Sequence, residues 1–287
     1  MNNVLRQLIF NDQVSLTLAD TTAAVNEGIK RHGFSPRQAE IFGSVLSAAA
    51  YMSACLKEKT GQITLTLQTD AGEVCVSGNQ QLHLRGYLDG FEAEDRQTEK
   101  TEQAEAGQIG EGSLTVVRDD GYSRPFVGSC GVWAKRGVDE SVEEYYRISE
   151  QLPTFLRTTV KIENGECVFA GVAVLQPLPF ADEKTLEALP KGEALLQIAK
   201  DMQTMGLEGA ARKYFPTDVN AATWKEARYQ CHCSREYLAE VLTTVGRAEL
   251  KKIIQEDGCV KAHCHFCNTD YVFLDGDIQS IFEKQGK

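Results

Sequence analysis

Apolar positions change period along the chain, and the changes outline its elements. Residues 21–31 and 36–56 read as helices, the second rich in alanine and apolar on one side through Ile41, Val45 and Ala49. From Gly61 to Gln68 the period drops to two, the alternation of a strand with one face on a core. Residues 74–77, 82–88, 113–118 and 167–175 are further strand candidates, separated by Gly, Asn and Asp turn signals. Such a mixture predicts an α+β domain around an antiparallel or mixed sheet. Residues 92–111 are charged, contain glycine and lack apolar periodicity, so a solvated loop is expected there. Residues 138–150 read as helical, ahead of an interruption at Pro153.

Gln-Pro-Leu-Pro-Phe at 176–180 denies a sheet two donors and marks the end of the first domain. A helical segment follows from 182 to about 214, with Leu195, Ile198, Met202 and Met205 at helical spacing. An apolar stripe must rest on something. Either it is docked on the core of the first domain, or it is covered in one state and uncovered in another. The expected organisation is an α+β core over 1–180, a helical linker over 181–226 and a small C-terminal zinc-binding domain over 227–287.

The C-terminal segment carries the strongest chemical signal. Cys231-His-Cys233 and Cys264-His-Phe-Cys267 stand with 30 residues between Cys233 and Cys264. Two cysteines a short step apart present both thiolates to one ion from a single turn, and two such turns complete the tetrahedral shell that zinc prefers. One zinc ion per chain is therefore expected on Cys231, Cys233, Cys264 and Cys267. Ser234 is positioned to cap a helix carrying Leu238, Val241 and Leu242 inward, and Asn268 to turn the chain into a strand over 271–273. A module of roughly sixty residues is marginal without a staple. Structural zinc supplies about 10–16 kcal/mol of binding free energy in finger-like peptides.

His232, His263 and His265 each adjoin a ligand cysteine. A residue next to a ligand usually points away from the ion, so supporting or solvent roles are expected of them. Cys259 reads as a strand residue or as a spare, exchange-competent thiol. Cys55, Cys75, Cys130 and Cys167 sit in apolar surroundings and read as small buried side chains.

Composition narrows the partners. A chain of 287 residues, 42% apolar, suffices for a large domain plus a smaller one. Its net charge of −11 repels phosphate backbones and anionic bilayers, so neither nucleic acid nor a membrane is the expected partner. The first ten residues lack the pattern of a secretory signal and no stretch is long enough to span a bilayer, so a cytoplasmic protein is expected. In a reducing compartment, nine cysteines point to metal or redox chemistry. The four-cysteine site then has two readings. It is a closed structural site, or it is a switch in which zinc keeps the thiols nucleophilic until an oxidant joins them as disulfides and releases the ion.

Further residues bear on that choice: Tyr-Gln-Cys-His-Cys-Ser-Arg-Glu at 229–236, Glu-Asp-Gly at 256–258, and Cys-His-Phe-Cys-Asn at 264–268 with the following Tyr-Val-Phe. Ser-Glu-Gln-Leu-Pro-Thr at 149–154 and Leu56-Lys57 ahead of the strand from Gly61 lie outside the cysteine module. Through these motifs the chain resembles, over essentially its full length, the heat-shock protein 33 family of redox-regulated chaperones. The resemblance implies an ATP-independent holdase, not an enzyme and without catalytic residues, inactive while reduced and zinc-bound. It implies that peroxide or hypochlorous acid joins Cys231 to Cys233 and Cys264 to Cys267, that zinc leaves, and that the C-terminal domain and linker unfold. The exposed surface would then capture unfolded or partly folded client proteins, and the oxidised form would be a homodimer. Cys259 departs from the family pattern, which has no fixed cysteine there.

Two rival functions are set against this one. A zinc-ribbon protein binding nucleic acid would need a basic face, whereas acidic residues slightly outnumber basic ones over 225–287. A thiol–disulfide oxidoreductase using Cys264 and Cys267 would need the strand-to-helix context of a redox Cys-x-x-Cys.

Overall fold

The computed structural model describes residues 2–91, 109–133, 136–216 and 222–285. The chain forms two compact units, Met1–Gln230 and Cys231–Lys287. The first unit opens with the hairpin β1 (Val4–Ile9) and β2 (Val14–Asp20), then α1 (Thr22–His32) and α2 (Pro36–Ala54). There follow β3 (Gln62–Thr69), β4 (Gly72–Asn79), β5 (His83–Gly90), β6 (Gly112–Asp119) and β7 (Phe126–Val132). Next come α3 (Val138–Tyr145), β8 (Phe155–Glu163), β9 (Glu166–Pro177), α4 (Glu183–Ala188) and α5 (Glu193–Tyr214). Two short strands, β10 (Thr223–Lys225) and β11 (Arg228–Tyr229), close the unit.

These strands build a five-stranded sheet, β10-β1-β2-β9-β8, and a six-stranded sheet, β11-β5-β4-β3-β6-β7. Every pairing in them is antiparallel except β11 with β5. The α+β class and the mixed sheet are as expected from the sequence.

Helix α2 touches strands of both sheets, and 14 of its 19 residues are buried, which explains a segment richer in alanine than a one-sided helix needs. Its start is specified locally. Ser35 Oγ accepts from Gln38 N (3.3 Å), Gln38 Oε1 accepts from Ser35 N (2.9 Å), and Pro36 takes the first helical position.

Strand β9 separates two cores. Ala170, Val172 and Val174 join the core around α2, while Phe169, Ala173 and Leu175 join a second core with α5. Its continuous apolar run thus reflects two buried faces. Leu195, Ile198 and Met202 of α5 are buried in that second core. Met205 departs from the expected stripe and is 45% exposed. Gly206, with φ 69° and ψ 174°, breaks the helical backbone directly after it, and burial resumes at Leu207, Ala210 and Ala211. The segment read as a linker is packed into the first unit in this state.

Several expectations shift. The helix over 138–150 is α-helical to Tyr145 and continues as a π-helical turn over Tyr146–Glu150. Most of the loop expected at 92–111 lies outside the described residues. Strands β1 and β2 were not anticipated, although residues 14–18 of β2 alternate apolar and polar with period two; in β1 the polar Arg6 and Gln7 stand side by side and break the alternation, and Gln7 is buried. Their turn uses left-handed Phe10, Asn11 and Asp12.

The second unit contains α6 (Arg235–Thr243), α7 (Arg247–Asp257), the hairpin β12 (Val260–Cys264) and β13 (Thr269–Phe273), and α8 (Asp275–Gln285). Its core consists of Leu250, Val260, Phe273 and Ile278, with Leu238 and Leu242 half-buried against them. Val241, expected to face inward, is 44% exposed. Leu238 and Leu242 are one helical turn apart and take the inner face, so Val241 falls to its side. Among the described residues no helix is long and apolar enough to cross a membrane.

Candidate metal centre

Each cysteine pair stands where a regular element starts or stops. Cys231 and Cys233 precede α6, whose first turn is capped by Ser234 Oγ accepting from Tyr237 N (3.1 Å). Cys264 is the last residue of β12 and pairs with Thr269, which leaves residues 265–268 as the hairpin turn. Asn268 takes the left-handed conformation that closes it (φ 53°), and Cys267 N donates to Cys264 O (3.3 Å). Both local expectations, the Ser234 cap and the Asn268 turn, hold.

The four Sγ atoms lie within 4.8 Å of one another. Cys231 Sγ is 3.3 Å from Cys233 Sγ and 3.7 Å from Cys264 Sγ, and Cys233 Sγ is 3.1 Å from Cys267 Sγ. All four are free thiols, and a disulfide would need about 2.05 Å. Four sulfurs about 2.3 Å from a common metal have edges near 3.8 Å, so the cluster has the donor set and the spacing of a single tetrahedral site. No imidazole or carboxylate belongs to it.

Electrostatics point the same way. Burial foremost, with the adjoining thiols adding to it, pushes the Cys233 thiol well above its ordinary value, against the opposing Tyr271 hydroxyl 3.3 Å away. Burial also raises Cys264. Thiols that suppress each other's ionisation hold a poor set of free thiolates, and a dication at their centre reverses that local field.

The surroundings support the sulfurs. Cys267 Sγ donates to Thr269 Oγ1 (3.3 Å), whose hydroxyl donates to Cys267 O (3.2 Å). Arg235, two residues after Cys233, donates to Val272 O (2.7 Å) and to the Asp277 carboxylate (2.8 Å). Sequence reasoning passed over Tyr271 and Arg235. The only signal for them was their position inside the motifs already quoted.

The histidines stand apart from the cluster. His263 Nδ1 bonds Asp270 Oδ1 (2.7 Å) across the hairpin, His265 packs edge-on against His263, and His232 is exposed. Cys259 is half-buried and lies just ahead of β12 instead of within it. Cys75, Cys130 and Cys167 are buried as expected, and burial pushes the last two up to about 11. Cys55 is only partly buried.

Fold and site together define a two-unit α+β protein with a small C-terminal unit gathered on four thiols. The family described as Hsp33 protein matches residues 2–274. The chain therefore belongs to the Hsp33 family of chaperones. It is 32% identical over 270 residues to a protein of Acetivibrio thermocellus named 33 kDa chaperonin, covering 91% of this chain and 90% of the relative. A 33 kDa chaperonin of Clostridium botulinum (strain Langeland) is 30% identical over 306 residues, covering 98% and 97%. The crystal structure of the 33 kDa chaperonin (heat shock protein 33 homolog) of Thermotoga maritima superposes with a TM-score of 0.79 at 25% identity, covering 99% of each chain.

Proposed function

We propose that this protein is a redox-regulated, ATP-independent holdase, silent while reduced and zinc-bound and active once oxidised. The observation that carries the reading is the convergence of four thiols in a unit whose fully buried apolar side chains, among the described residues, are Leu250, Val260, Phe273 and Ile278. So small a core leaves the unit dependent on a staple. Zinc, when bound, holds the thiols as thiolates and ties residues 231–233 to residues 264–267.

Cys231 with Cys233, and Cys264 with Cys267, are the proposed disulfide pairs. In each, two thiolate sulfurs lose two electrons to one peroxide molecule, which takes up two protons from solvent and leaves as two waters, and a sulfur–sulfur bond forms. Oxidised sulfurs no longer hold the metal, so the unit loses its staple. In functional terms 1–180 is then the stable core, 181–226 the linker that loosens, and 227–287 the sensor. The clients are unfolded or partly folded proteins in the cytoplasm, the oxidised form is a homodimer, and the protein has no catalytic residues. The oxidoreductase reading is disfavoured because Cys264 ends a strand and Cys267 lies in the hairpin turn that follows, so the pair does not open a helix after a strand as a redox Cys-x-x-Cys does.

The test is light scattering of a heat-aggregating client, with zinc release followed in parallel by a chromophoric chelator. Suppression is expected from the peroxide-treated protein and not from the reduced, zinc-loaded one. Equal suppression in both states, or suppression without zinc release, would overturn the reading.

A further inference from the structure

The end of the first unit is a strap across one edge of each sheet. β10 lies on β1, with Asn3 N donating to Lys225 O (3.0 Å). β11 lies on β5, with Arg228 N donating to Leu82 O (3.0 Å) and Gln230 N to Leu84 O (2.7 Å). Between them Ala227 is buried in the main core, and Asn3 imitates a neighbouring strand. Its Nδ2 donates to Ala227 O (3.0 Å) and its Oδ1 accepts from Ala227 N (2.7 Å).

Tyr229 extends the imitation along β5. Its hydroxyl donates to Gly86 O (3.0 Å) and accepts from Gly86 N (3.5 Å). One phenol thus occupies both groups that a paired strand would fill. The ring sits beside α1, with the Arg31 guanidinium 5.6 Å from its centroid and His32 Nε2 3.4 Å from its hydroxyl. Of the eight residues of β5, only His83 and Leu84 pair with β11. Without the strap β5 is an open edge strand, a template for another chain.

We infer that the β5 edge is a docking site for client polypeptide, which adds to the six-stranded sheet as an extended strand in place of Arg228–Gln230. The inference rests on the redox-holdase reading and supplies its client site. The bound strap indicates the occupant: an extended segment with an aromatic residue at the Tyr229 position. Main-chain bonds give affinity that depends little on sequence, as a holdase requires, and the slot beside α1 gives the preference for an aromatic. The strap is suited to leave. Its strands have three and two residues, Thr223, Trp224, Glu226 and Arg228 are exposed, and it ends one residue before Cys231, so disorder spreading from an oxidised C-terminal unit meets it first.

The test is amide hydrogen exchange on the full chain, with reduced, carboxymethylated α-lactalbumin as the unfolded client. The Gly86 amide should exchange about tenfold faster after peroxide treatment and regain protection when client is added. A second measurement uses the H83C/R228C double variant, in which the wild-type side chains already approach to 2.8 Å in register. Peroxide joins these two thiols, forming water, and pins the strap. Zinc release should be unchanged while client suppression falls several-fold below that of either single variant. Full suppression by the pinned protein, or free exchange at Gly86 with client bound, would overturn the inference. So would protection at Gly86 that returns without client as protein concentration rises, because a second copy of the chain would then hold the edge. Absence of suppression in the oxidised wild type would remove the redox reading and this inference together.

Discussion

The guanidinium of Arg235 lies 4.4 Å from the centroid of the Phe273 ring. The same side chain bonds Val272 O and Asp277, so the start of α6, just after Cys233, is braced to β13 and α8. Arg235→Ala removes a cation–π contact and two hydrogen bonds at a half-exposed site, and is expected to weaken the second unit by about 1–2 kcal/mol. In chelator competition, zinc should leave at about tenfold lower chelator concentration. An unchanged competition curve would show that the brace contributes nothing to metal retention.

Zinc content of the reduced protein is expected to be one ion per chain, and Cys231→Ser should lose it. The basis is the all-cysteine cluster. Full occupancy in a variant lacking both Cys231 and Cys233 would reassign the site and bring the neighbouring histidines into it.

Cys259 lies five residues before Cys264 yet outside the cluster. Cys259→Ser should leave zinc content unchanged and give cleaner disulfide pairing on peroxide treatment, read by mass mapping of the oxidised peptides. Loss of zinc from this variant would place a ligand wrongly.

Ile198 is fully buried where α5 meets the five-stranded sheet. Ile198→Ala deletes three carbons there and should cost about 2–5 kcal/mol. Amide exchange over 193–214 should rise in the reduced protein, and suppression should appear at lower peroxide. Unchanged exchange would mean that this helix is held by contacts other than its apolar stripe.

Asp139, in the first turn of α3, accepts from Thr158 N (2.9 Å) and Thr158 Oγ1 (2.7 Å). The residue is partly open to solvent but its carboxyl is enclosed, and that burial pushes it from 3.8 up to about 7 against the Thr158 donors. A folded value above the unfolded one means a stabilising contribution that is complete below about pH 4, shrinks as pH rises and is gone above about pH 7. Between these limits Asp139→Asn should flatten the fall of stability with pH in urea titrations of the reduced protein. Parallel profiles for variant and wild type would show the carboxyl ionised throughout.

Metal chemistry was legible in the residues because it depends on ligand type and local spacing. Cys231, Cys233, Cys264 and Cys267 announce a four-sulfur site wherever their turns lie, and Ser234 and Asn268 specify the flanking turns through their own backbone preferences. Helix α1 and strands β3, β5 and β6 were legible for the same local reason, a regular period of burial, whereas α2, β4 and β9 are buried on more than one face. Other features depend on what a segment meets after folding. In β1 the adjacent polar pair Arg6 and Gln7 breaks the apolar alternation, although Gln7 is buried among its neighbours. Gly206 turns Met205 to solvent by a backbone break that no spacing foretells. β10 and β11 are too short to carry a period at all, and they are strands only because β1 and β5 offer unpaired backbone groups to bond. Backbone hydrogen bonding is satisfied by whatever neighbour the fold supplies, so edge pairing belongs to the assembled sheets and not to the residues that complete them.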